Sequence, residues 1–112
     1  MKYWLSIITT IFFLNCKIPS ELNLSDTIMF EGEIYQLNGS EPFTGIVYNN
    51  YITGEREYEG FYKNGRPHGK IIYWYKNGSK KKEGQLNYGV QVGKWFYYDS
   101  IGTLKESIIY SK

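Results

Sequence analysis

From Lys70 to Tyr75 the chain alternates in a way that puts apolar bulk on both sides of an extended segment. Ile71, Tyr73 and Tyr75 share one face, and Lys70, Ile72 and Trp74 share the other. Asn77-Gly78 follows at once, so the pattern predicts a strand running into a tight turn. Asn-Gly is the dipeptide favoured in a type I′ turn, where both central residues take positive φ. Asn38-Gly39 and Asn64-Gly65 carry the same signal, and a further turn is expected near Gly102. After Cys16 apolar residues do not recur at helical spacing over any convincing length.

The alternation recurs along the chain. Gly45, Gly69 and Gly93 lie 24 residues apart, as do Gly54, Gly78 and Gly102. The same step carries Glu59-Gly60 onto Glu83-Gly84, Gly65 onto Gly89 and Tyr73 onto Tyr97. A fixed period of this size marks stacked supersecondary units, each of which needs its neighbours to bury its apolar surface. The fold expected is all-β: a single-layer antiparallel meander of about seven strands, built from 24-residue hairpin units. A leading hairpin would span 27–44 and the repeats 45–68, 69–92 and 93–112. In one layer, large rings shield strand glycines on adjacent strands, and Tyr73 and Tyr97, sharing a column, are the rings expected to do so. The alternative is a small β-barrel whose glycines serve only its loops.

The run Gly69-x-x-x-Tyr73-x-Tyr75-x-Asn77-Gly78, followed by Glu83-Gly84 and Tyr88-Gly89, resembles the MORN repeat in its bacterial variant form. The lead-in from Tyr35 to Gly45 is similar to that of bacterial MORN proteins named as YwqK-family antitoxins. The resemblance covers about residues 31 to 110. It implies a repeat array without catalytic function and, through the YwqK-like group, a toxin as protein partner.

At the start of the chain, Lys2 precedes an apolar run from Tyr3 to Leu14, and Cys16 follows it. This reads as an export signal over residues 1–16, too short to cross a hydrocarbon core that needs about 20 residues. A lone cysteine directly after such a run is similar to a bacterial lipoprotein site, where the thiol is acylated, although Asn15 stands where a small residue is usual. The localisation expected is therefore exported and lipid-anchored to a bacterial cell membrane through Cys16, with cleaved soluble secretion as the alternative. Residues 17–26, with Pro19, Ser20 and Ser25 and no aromatic residue, read as a tether to a repeat domain over 27–112.

Composition removes several function classes. Thirteen basic residues against 11 acidic give no concentrated basic face for nucleic acid. One His, one Cys and two Asp leave no metal-ligand spacing, and neither a nucleophile elbow nor a phosphate-binding loop is present. No enzyme, cofactor or metal is expected. His68 reads as a solvated turn residue, and Glu55, Glu57 and Glu59 as a solvated strand face. Two binding surfaces remain. Trp74 and Tyr98 share a column opposite Tyr73 and Tyr97; with Trp95 and Phe96 nearby they form the expected stripe for a protein partner. Lys80, Lys81 and Lys82 form the alternative, a headgroup contact for an envelope structural or phospholipid-contacting protein.

Overall fold

The structure, a computed structural model, describes residues 20–111. The expected export signal with Cys16, the first residues of the expected tether and Lys112 lie outside them. The fold is all-β. Among the described residues the nine strands are β1 (Glu21–Asn23), β2 (Thr27–Phe30), β3 (Glu33–Gln36), β4 (Gly45–Asn50), β5 (Arg56–Lys63), β6 (Arg66–Trp74), β7 (Lys80–Asn87), β8 (Val90–Tyr98) and β9 (Leu104–Tyr110). Seven of them form one sheet in the order β1-β4-β5-β6-β7-β8-β9, antiparallel from β4 onward.

Two kinds of turn alternate along the meander. Asn64-Gly65 (φ 50 and 83) and Tyr88-Gly89 (φ 48 and 91) have positive φ at both positions, the type I′ geometry, and link strands separated by two residues. Asn77-Gly78 departs from the expected I′ turn, because only Gly78 (φ 93) takes positive φ. The Gly78 amide donates to the Tyr75 carbonyl and the Tyr75 amide to the Ser79 carbonyl, which is a type I turn closed by a left-handed glycine. The same pair of bonds recurs at Tyr51–Glu55 and Asp99–Thr103. Nothing lies within 4 Å of a Cβ added at Gly78, so a side chain there costs backbone strain alone. Gly78→Val is expected to destabilise by more than about 1 kcal/mol and Gly78→Asn by clearly less, since Asn tolerates that region. Urea denaturation checks this; equal losses would remove φ as the cause.

Bonds between units repeat at the sequence period. Tyr51 Oη donates to the Trp74 carbonyl at 2.7 Å, and Tyr75 Oη to the Tyr98 carbonyl at 2.8 Å. In the last unit Asp99 holds the corresponding place and instead accepts from its own turn's amides at Ile101 and Thr103. At the opposite ends of the strands, the Gly65 amide bonds Phe43 O and the Gly89 amide bonds Pro67 O. Thr44 accepts from the Asn64 amide just as His68 Nδ1 accepts from the Tyr88 amide. His68 also stacks on Tyr88, with centroids 4.2 Å apart, so it is a half-buried, bonded residue of β6 and not a solvated turn residue.

The core of the repeats is one column, with Leu22 and Ile34 buried at its N-terminal end. Val47, Ile71 and Trp95 are 0%, 4% and 2% exposed and lie in register with the glycines between them. Val47 faces Gly60, and Ile71 faces both Gly60 and Gly84. The glycine covers are therefore Ile71 and the Tyr58 phenol at Gly60, and Trp95 at Gly84. Tyr73 and Tyr97, expected in that role, sit one pair further along the strands. A Cβ at Gly60 would meet Tyr58 Oη at 2.9 Å and Ile71 Cγ1 at 3.3 Å, and one at Gly84 would clash with the Trp95 ring.

The N-terminal end also differs from expectation. Residues 21–23, read as tether, form β1 and pair in parallel with β4, burying Leu22 against Val47. Asn23 Oδ1 accepts from the Ser25 amide and starts a short 3-10 turn over Leu24–Asp26. The leading hairpin is a separate two-stranded sheet, β2–β3, turning at Glu31-Gly32, and the expected turn at Asn38-Gly39 follows it, with positive φ at Asn38 and an antiparallel bridge between Tyr35 and Pro42. It docks on the end of the array through the Ile34 amide to Gly65 O bond and the Arg66–Glu33 ion pair at 3.6 Å. β1, not this hairpin, covers the sheet edge.

Candidate functional site: a tyrosine-lined face

Each type I turn leaves one residue more on the returning strand than on the outgoing one. Asn49 and Asn50 pair with Tyr58 and Arg56, so Glu57 is bulged out of register. Tyr73 and Trp74 pair with Lys82 and Lys80, bulging Lys81; Tyr97 and Tyr98 pair with Glu106 and Leu104, bulging Lys105. The bulges thus keep the 24-residue period, at Glu57, Lys81 and Lys105.

These three residues line one cleft of about 430 Å³ together with Tyr73, Tyr75, Lys82, Tyr97 and Tyr98. A second cleft of about 330 Å³ adjoins it, lined by Leu24, Asn49, Glu57, Tyr58, Tyr62 and Tyr73. Glu57 and Tyr73 belong to both, so the face carries a continuous furrow across the strands.

Its phenols are held in place by one another. The Tyr58 and Tyr73 rings tilt together with centroids 5.0 Å apart, and the Tyr58 and Tyr62 hydroxyls are hydrogen-bonded at 2.7 Å. Burial pushes the Tyr58 phenol far above its ordinary range, with the Tyr62 bond adding to the effect, and burial raises Tyr73 as well. Both stay protonated, able to donate or accept. Lys82 Nζ stands 4.6 Å from the Tyr73 centroid and Lys81 Nζ 5.5 Å from that of Tyr75. The ion pairs of the described residues, Arg56–Glu59, Arg66–Glu33 and Lys80–Glu83, involve none of the furrow's lysines.

The expected partner stripe is divided by this geometry. Trp95 is 2% exposed and donates from Nε1 to Gln85 O at 3.1 Å; it is a core residue and cannot take part in a surface stripe. Trp74, Phe96 and Tyr98 remain half-buried, with Trp74 and Phe96 on the face opposite Trp95. Tyr98 Oη donates to Glu83 at 2.9 Å, and Lys80 Nζ pairs with the same carboxylate at 3.0 Å. Burial alone would raise the Glu83 carboxyl, but the bonds from Lys80 and Tyr98 outweigh it and hold the group below the usual carboxylate range. The lysine triplet is divided too. Lys80 is tied to Glu83 across from Phe96, whereas Lys81 and Lys82 turn to the furrow, so the three do not form one headgroup patch.

Among the described residues, no group of three His, Cys, Asp or Glu is placed to hold a metal ion, and no helix is long and apolar enough to cross a membrane. No family model, curated protein or solved structure matches the chain.

Proposed function

We propose that the chain is a non-catalytic MORN-type repeat module that binds a protein partner along its tyrosine-lined face and is held at a bacterial membrane by an acyl chain on Cys16. What carries the reading is the continuous furrow. Its half-buried rings and its ammonium groups lie along the strands beside the buried column of Val47, Ile71 and Trp95. Tyrosine offers large contact area at low entropic cost, and a repeat array extends that area along one direction. By its YwqK-like lead-in the chain acts as an antitoxin, and the partner is then a toxin met in the compartment to which the chain is exported.

A photoreactive phenylalanine placed at Tyr97 in one variant and at Phe96 in another tests the face, because adjacent strand residues point to opposite sides. Crosslinking to one protein is expected from Tyr97 and not from Phe96. The reverse result would move the site to the face of Trp74 and Phe96. Anchoring is tested separately. Wild type should incorporate labelled palmitate and sediment with membranes, and Cys16→Ser should do neither; labelling in both, or in neither, removes the anchor.

A further inference from the structure

The bulged column gives the furrow a charge sequence as well as a shape. Glu57, Lys81 and Lys105 occur on β5, β7 and β9, always two strands apart. Neighbouring strands are separated by about 4.8 Å, so successive charges stand about 9.6 Å apart along the furrow. Between them, on β6 and β8, lie the rings of Tyr73 and Tyr97. A polyproline II segment has three residues per turn at a rise of about 3.1 Å and presents equivalent side chains about every 9.3 Å. The two repeats match to within a few tenths of an ångström per step. Aromatic rings spaced between them are the surface on which proline-rich segments dock, their pyrrolidines lying flat on the rings.

We infer that the occupant of the furrow is an extended, proline-containing segment of a protein partner, lying across the strands with a charged residue at every third position. Carboxylates three residues apart stand opposite Lys81 and Lys105, and a basic residue at the next third position stands opposite Glu57. The segment's prolines cover Tyr73 and Tyr97. Its backbone carbonyls, which polyproline II leaves unbonded, accept from Lys82 Nζ and the tyrosine hydroxyls. The charge order sets register, because a shift by one repeat in either direction places a like charge on Glu57 or Lys81. The occupant is thus the contacting part of the partner proposed above, and the inference rests on that reading.

The test uses the full chain in mild detergent at low ionic strength with three fluorescein-labelled peptides. One reads Arg-Pro-Pro-Glu-Pro-Pro-Glu, one is its reverse, and the third has the same composition with its three charges adjacent. Binding is read by fluorescence anisotropy. One of the first two should bind at least about tenfold more tightly than the third, in a salt-sensitive manner. Lys81→Glu should weaken that peptide by about tenfold or more, and Glu57→Lys should shift preference to Glu-Pro-Pro-Glu-Pro-Pro-Glu. Both substitutions are at bulged positions outside the core, and unchanged melting curves confirm that the fold persists. Equal affinity for the third peptide, no binding of any, or indifference to Lys81→Glu overturns the inference. If crosslinking from Tyr97 persists in that event, the binding face stands and only its charge register is lost; if it also vanishes, both readings fall.

Discussion

Replacing Gly84 by alanine is expected to destabilise the protein by about 1–3 kcal/mol when Trp95 is present, and to be neutral or slightly stabilising when it is absent. A Cβ at Gly84 would occupy the space of the Trp95 ring, whose carbons are its three nearest neighbours. That ring cannot retreat. It is 2% exposed, is tied through Nε1 to Gln85 O at 3.1 Å and meets Tyr110 edge-on at 6.3 Å. Trp95→Ala alone should be the most damaging single change, at about 3–5 kcal/mol, because a single layer has little other apolar mass to collapse into the cavity. Gly84 does not need positive φ, so once the ring is gone alanine there only narrows the unfolded ensemble. The double-mutant cycle, followed by far-ultraviolet circular dichroism in urea, therefore gives a coupling that reverses the sign of the glycine substitution. Additive losses would show that the glycine is required by its backbone and not by the tryptophan.

How far this architecture can be read from sequence depends on which residue types leave a mark. The glycine columns gave the period, since each recurs at 24 residues and none has a substitute at Gly45/69/93 or Gly54/78/102. The core column was equally available. Val47, Ile71 and Trp95 are apolar in every unit, a stronger packing signal than the proximity to Trp74 and Tyr98 that places Trp95 in the expected stripe. Asn-Gly suits both turn types, so the dipeptide at Asn77-Gly78 does not by itself specify which forms; the five residues between β6 and β7, against two between β5 and β6, distinguish them. Bulges carry no residue signature of their own: the three lysines beside one turn read as a single patch, whereas the bulge at Lys81 brings Lys81 and Lys82 together and leaves Lys80 apart. β1 was invisible for another reason. Three residues with one apolar side chain make no pattern, and their pairing with β4 depends on an edge that exists only after the array has formed. One signal was present and unused: Glu21, Asp26, Glu31, Glu33, Glu41 and Glu55 occur without a Lys or Arg among them, so the array is acidic at one end and basic along its later units.

Raising the pH above 10 should unfold the protein cooperatively, because its phenols are bonded and buried in their neutral form. Tyr58, Tyr73 and Tyr51 are raised from the ordinary value of 10.0 chiefly by burial. Tyr97 and Tyr98 are raised chiefly by their hydrogen bonds to Tyr110 and Glu83. Each folded pKa lies above its unfolded value, so the stabilisation is complete below the unfolded pKa and is lost as pH rises beyond it toward the folded one. One tyrosine kept fully protonated in the folded state steepens the loss by about 1.4 kcal/mol per pH unit, and Tyr58 is the phenol closest to that limit. Phenolate absorbance and circular dichroism should therefore change together in one transition. Tyr58→Phe gives the opposing check. At neutral pH it removes the 2.7 Å bond to Tyr62 and should cost about 1 kcal/mol, yet it also removes the most strongly shifted phenol. Its stability should consequently fall less steeply than that of wild type above pH 10, so that the two curves converge as the pH rises. Phenolate absorbance that grows well before the strand signal is lost, with parallel curves for the two proteins, would mean that these tyrosines titrate freely within the folded sheet.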